Sequence, residues 1–302
     1  MDIGFLDAFQ LPFMARALAT IAVLAVAAGI VGLGISMREL EFISDGLVHA
    51  VFPGLVIGAM VGGSAGLLPG AVIAALIASM LFTLLGRRAG LGSDAAIAVV
   101  LTGLFSLGVV LVSRQEGYVS QLQELLFGRL LTVTAAQFWQ ILVVAAVAVL
   151  LMLVTLRAQI FRAFDPAGFE AAGFRPLATD LALTVSTALL VVAGVQALGV
   201  LMVIALLTVP MAVARLVSRR FALLVPIAIA VPLVVGVLGL WGSFRWSVGA
   251  GLSVSPGALI VLMLVAAYAL AVVERLILLA ARRSSRAPGR AGARARRIEA
   301  AP

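Results

Sequence analysis

The sequence predicts an all-helical protein that crosses a membrane about nine times, and three observations lead there. Hydrophobic residues make up 64% of the 302 residues and charged residues only 11%. A soluble domain has roughly 45–50% and about 25%. Uncharged stretches long enough for a crossing, which takes about 20 helical residues, recur at 17–37, 50–86, 95–113, 130–156, 181–214, 221–244 and 246–273. Arginine clusters fall in alternate connections between them, as the positive-inside rule requires of cytoplasmic loops.

Taken in order, the predicted spans lie near 14–36, 42–61, 67–85, 94–113, 137–156, 180–197, 199–216, 221–241 and 256–278. The first is expected to stay in the mature protein. Asp2 and Asp7 stand where a secretory signal carries positive charge, and the apolar run exceeds the usual ~7–15 residues. The 50–86 run is too long for one crossing, and "GGSAGLLPG" (62–70) supplies the glycines and the proline of a turn. The 181–214 run carries "AGVQALG" (193–199) at its middle and reads as two short helices. A single bent helix there would reduce the count to eight.

Nine spans with the N-terminus outside put Arg38, Arg87, Arg88, Arg157, Arg162, Arg175, Arg215, Arg219 and Arg220 in the cytoplasm, and leave Arg16, Arg114, Arg129 and Arg245 outside. Residues 1–280 thus form the membrane domain. The tail, 281–302, holds seven more arginines and almost no large apolar residue. It is expected to be disordered and to lie on anionic headgroups rather than on nucleic acid.

Two absences narrow the chemistry. There is no cysteine, hence no disulfide and no thiolate metal site. There is no lysine either, since all 21 basic residues are Arg. A Walker A loop needs its phosphate-binding Lys, so ATP hydrolysis by that route must belong to another chain.

Asp45 and the single His, His49, interrupt the apolar run "FISDGLVHAVFPGLVIGAM" (42–60). Four residues apart on a helix, they share a face. From a start at Glu41, His49 lies about 12 Å along at ~1.5 Å per residue. An ionisable group at such depth costs about 2.5–3.5 kcal/mol on insertion scales and faces a bundle interior or an aqueous path. Pro53 has no N–H to give the His49 carbonyl. Carboxylate, imidazole and a bare carbonyl make a patch suited to a divalent cation. Gly54, Gly58 and Gly62 form a small-residue face for a neighbouring helix. One patch has too few ligands, whereas two copies in a symmetric dimer would bring two carboxylates and two imidazoles together. Spacing alone leaves a metal site and a purely structural Asp–His pair open as equals.

The longest basic connection is "RAQIFRAFDPAGFEAAGFRPLAT" (157–179). Asp165 is a fitting N-cap, Pro166 a first helical residue and Gly173 a stop, giving a short surface helix near 166–172. Phe164 and Phe169 would fill a groove on a partner, and Asp165, Glu170 and Arg175 would make polar contacts. A plain amphipathic connector satisfies the same pattern.

Other signals are set aside. "GGSAG" (62–66) matches the nucleophile-elbow pattern, but that motif needs a strand–turn–helix and a His partner for its Ser, here Ser64. One His also excludes the two-His zinc protease helix. Asp94 and Asp180 read as helix-start residues interacting with the dipole rather than as ligands. Gln137 and Gln196 near span ends stay ambiguous.

Six segments then resemble, in order, the ABC-3 family of permease subunits from bacterial zinc, manganese and iron importers. "ISDGLVHAVFPG" looks like that family's "GDALSHAVLPG". "SDAAIAVVLTGLFSLGVVLVS" (93–113), "LFGRLLTV" (126–133), "FDPAGFEAAG" (164–173), "ALGVLMVIALLTVPMAVARL" (197–216) and "SPGALIVL" (255–262) resemble its later motifs. The likeness spans roughly residues 13–275.

The resemblance implies a fold like that of vitamin B12 importer-type permeases, in the bacterial inner membrane. It implies a homodimer, a cytoplasmic ATP-binding subunit and an extracytoplasmic metal-binding protein. Asp45 and His49 would handle zinc, manganese or iron in transit, with no permanently bound cofactor. The 164–175 loop would be the helix that docks on the ATPase. The family's Ser beside the His is Val48 here, which alters what surrounds the ligands. Because His must be neutral to ligate, acid is expected to weaken the site. The rival readings are a permease for larger iron–siderophore or B12 cargo, and an ion-coupled secondary transporter.

Overall fold

The computed structural model describes residues 4–87, 93–113, 126–250 and 254–299; Asp2, Arg88 and Arg114 lie outside the described residues. Among these residues all regular structure is helical. The helices are α1 (Phe5–Gln10), α2 (Pro12–Met37), α3 (Glu41–Ala50), α4 (Phe52–Gly86), α5 (Ser93–Val112), α6 (Ala135–Phe164), α7 (Pro166–Ala171), α8 (Pro176–Leu198), α9 (Val200–Val217), α10 (Phe221–Ala250) and α11 (Pro256–Glu299). Seven helical stretches among the described residues are long and apolar enough to cross a membrane, and Ile97–Val112 is a shorter apolar helix.

One of the seven, Glu41–Gly86, is interrupted. Gly63, at φ 57° and ψ −140°, breaks the helical path inside α4. The halves fold back on each other: a side chain at Gly54 would strike the backbone of Gly70, and one at Gly58 that of Gly66. The small-residue face therefore closes a hairpin within the chain, as far as Gly58. Gly62, its third member, meets nothing within 4 Å. Ser64 sits exposed at the hairpin tip, away from any strand–turn–helix.

The "AGVQALG" break is equally local. Gly199 alone separates α8 from α9, with φ 79°. A side chain there would meet the backbone of Phe127 and Gly128, so the 126–133 segment tucks directly beneath the turn. Arg129 N–H donates to the Ala197 carbonyl at 3.0 Å, and Arg16 donates to the Val133 carbonyl at 2.9 Å.

Two helices form the centre. In α2 67% of the most apolar window is buried and in α8 72%, against 22% in each of α6, α10 and α11. Lipid gives apolar helices no reason to associate, so small residues and hydrogen bonds must do it. α2 buries Ala25, Ala28, Gly29, Gly32 and Gly34, and α8 buries Thr184, Ser186, Thr187, Ala188 and Gly194. Ser79 of α4 donates to the Thr184 carbonyl at 3.2 Å, and Thr83 lies 3.0 Å from the Thr184 hydroxyl.

Beyond residue 280 the backbone of α11 runs on as helix to Glu299.

Candidate metal-transit site and an arginine knot at the helix ends

α3 starts at Glu41, as the sequence reading assumed, and it carries both Asp45 and His49. His49 Nδ1 lies 3.0 Å from the Asp45 main-chain carbonyl and 3.6 Å from its Oδ1. A carbonyl only accepts, so Nδ1 carries the proton and donates. The lone pair is then on Nε2, the nitrogen left for a ligand. Phe105 of α5 meets the imidazole edge-on at 5.4 Å between ring centres, and Phe52 stands 5.5 Å behind Phe105. The ring is thereby held in orientation. Neither group is sealed: the side chains of His49 and Asp45 are 26% and 37% exposed.

The third expected donor is less open than predicted. Pro53 indeed gives nothing to the His49 carbonyl, but the Val51 N–H turns toward it while also bonding Leu47. Among the described residues no three His, Cys, Asp or Glu gather around one point. One chain therefore offers two side-chain donors, which fits an ion held between two copies. Beside them, a groove of about 410 Å³ runs between the α4 hairpin and α5, lined by Pro53, Gly54, Ile57, Ile73 and Leu107 among others. Its lining is almost wholly apolar, so it adds no donor.

The 164–175 loop forms the predicted helix. Asp165 caps α7, accepting from Gly168 N–H at 2.8 Å. Pro166 opens the helix, and Gly173 ends it with φ 80°. One residue is corrected. Phe169 is fully buried, edge-on to Phe161 and stacked on Phe174 at 4.9 Å, so it cannot fill a partner's groove. Helical spacing after Asp165 turns it inward, onto the end of α6. Phe164, 76% exposed, keeps the outward role, and Glu170 and Arg175 are exposed as expected.

Asp180 does more than begin a helix. α8 begins at Pro176, so Asp180 lies a turn inside rather than at the start. It gathers three arginines: Arg38 at 2.7 Å, Arg87 at 3.1 Å and Arg162 at 2.8 and 3.0 Å. Arg38 and Arg87 cap the C-termini of α2 and α4, and Arg162 lies in the last turn of α6. Cations favour such positions because the helix dipole is negative there. Gln159 completes the knot, donating to the Thr179 carbonyl at 2.7 Å and facing Arg38 at 3.4 Å. Position at an arginine-rich end was the one available signal; the pairings join residues far apart in sequence.

The remaining polar residues resolve simply. Gln137 is the N3 partner of Thr134 in a capping box, and Asp94 lies in the first turn of α5. Gln196 lines a small pocket of about 140 Å³ with Arg129, Gln137 and Gln140.

Known proteins resemble this chain in sequence and in structure. The manganese transport system membrane protein MntC of Halalkalibacterium halodurans is 28% identical over 242 residues, covering 80% of this chain and 82% of that protein. The chelated iron transport system membrane protein YfeD of Yersinia pestis is 28% identical over 239 residues, covering 79% and 80%. Among solved structures, PsaBC from Streptococcus pneumoniae in complex with Fab superposes with a TM-score of 0.75 at 25% identity, over 88% of this chain and 94% of that one. The description "ABC 3 transport family" matches residues 10–275. Spans, motifs and superposition agree, and the chain belongs to the ABC 3 transport family.

Proposed function

We propose that this multi-pass protein of the bacterial inner membrane is the permease subunit of an ABC importer for a divalent transition metal: manganese, iron or zinc. The observation that carries the reading is the Asp45–His49 pair. Its Nδ1 is fixed on a main-chain carbonyl, its Nε2 is left for an ion, and the Asp45 carboxylate stands beside it. The relative named for manganese transport supports a metal cargo, and the one named for chelated iron transport keeps iron in the class.

In this reading the membrane is crossed nine times, because Gly63 and Gly199 each divide a long apolar run and α5 adds a crossing. The N-terminus faces outside. The Asp180 knot then lies on the cytoplasmic side, and the arginine-rich tail lies against anionic headgroups. Two copies supply two carboxylates and two imidazoles to one ion, which is held briefly and passed on. A separate ATP-binding subunit docks on α7 and Phe164, and an extracytoplasmic metal-binding protein delivers the ion. ATP hydrolysis is left to that subunit: without lysine this chain has no Walker A loop.

The test is metal accumulation, read by elemental analysis, in cells carrying the complete transporter or the same transporter with a hydrolysis-dead ATPase subunit. Import of one divalent metal that stops with the motor is expected. Import that continues unchanged would favour an ion-coupled secondary transporter instead.

A further inference from the structure

We infer that the Asp180 knot is a positioning device that carries movement of α7 to the α2–α3 corner bearing the metal ligands. The inference rests on the importer reading above. α7 cannot shift freely at the end of α6. Its Phe169 is buried under the Arg162 guanidinium, 5.7 Å from the ring centre, and its Glu170 lies 3.6 Å from Arg162 Nη1. Arg162 in turn holds Asp180 through two bonds, a paired geometry that resists rotation as well as separation. The same carboxylate holds Arg38 at 2.7 Å. Arg162, Asp180 and Arg38 are 13–15% exposed, so water screens these contacts little.

Arg38 is the last link before the ligands. It caps α2, and the next residue, Glu39, has φ 54°, the one positive φ outside glycine among the described residues. Arg38 and Leu40 N–H both return to the Ile35 carbonyl, at 3.2 and 3.0 Å. This is a tight helix stop with Glu39 where glycine is usual. Such a conformation is held only by its surroundings. α3 begins two residues later and presents Asp45 and His49. The chain of contacts from Phe169 through Arg162, Asp180 and Arg38 thus ends at a strained corner, where a small pull reorients the ligand helix. Arg87 reaches the same carboxylate from α4, is 38% exposed, and lies off this line. The knot has three cations against Asp180 and Glu170, so losing one arginine does not strand a carboxylate.

The experiment uses the complete transporter in proteoliposomes, measuring ATP hydrolysed per manganese ion imported. Arg38→Gln should raise this ratio about fivefold or more, the low end of a typical coupling free energy, while hydrolysis continues. Arg38→Lys should restore part of the stoichiometry, and Arg87→Gln should leave it near the wild-type value. Should Arg38→Gln not reach the membrane, Asp180→Glu, which keeps the charge but shifts it by one methylene, must raise the ratio in its place.

An unchanged ratio in the folded variant overturns the inference. So does equal loss of import and hydrolysis, which marks a merely structural contact, or an Arg87→Gln defect as large as that of Arg38→Gln. If the wild type itself imports no manganese, iron or zinc, the importer reading fails and the inference falls with it.

Discussion

Arg162 grips Asp180 through two parallel bonds, Nε to Oδ1 at 2.8 Å and Nη2 to Oδ2 at 3.0 Å. The pair joins the end of α6 to the second turn of α8, and Arg38 and Arg87 close on the same carboxylate. Removing it leaves three guanidinium groups facing one another. Asp180→Ala should therefore lower stability by about 3–5 kcal/mol, the range for a buried ion pair that loses one partner. A drop in the thermal midpoint of the detergent-solubilised protein measures it. A midpoint equal to wild type would mean that the arginines find other partners.

The two phenylalanines of the 164–175 loop should separate cleanly. Phe169→Ala removes a fully buried ring and should cost about 3–5 kcal/mol of stability. Phe164→Ala changes a side chain that is 76% exposed, so its thermal midpoint should stay near wild type. Its effect should appear in co-purification of the ATPase subunit, which weakens. Equal destabilisation by both substitutions would contradict the orientation of α7.

Gly58 and Gly66 meet backbone to backbone across the α4 hairpin. Gly58→Ala places a methyl group against the Gly66 carbonyl, and overpacking of this kind costs about 1–3 kcal/mol. Gly62→Ala meets open space and should be near neutral. The yield of folded protein after detergent extraction, compared between the two variants, checks both.

Much of this was legible locally. The Gly63 break, the Gly199 turn, the Asp165 cap and the α3 start depend on residues within a few positions, where backbone preference and capping chemistry dominate. The Asp–His pair was legible because helical periodicity puts i and i+4 side by side. The Asp180 knot was not, because its partners come from α2, α4 and α6, and no spacing rule links them. The burial of Phe169 depends likewise on Phe174, beyond the end of α7.

Acid should slow import. The free lone pair on Nε2 is what would bind the ion, and a proton there competes with the metal, so affinity falls as pH falls. Import should decline on acidification of the outer medium while ATP hydrolysis by the motor, read in parallel, holds. Import independent of pH across the range in which the motor stays active would argue against imidazole ligation.

The most direct measurement is metal accumulation by elemental analysis in cells carrying the complete transporter, with wild type compared against Asp45→Asn and His49→Ala at equal membrane abundance. Loss of one divalent metal in both variants is the predicted result, and it identifies the cargo as well as the site. Undiminished accumulation in either variant would contradict a transit role for that residue, and in both it would leave the pair as helix packing alone.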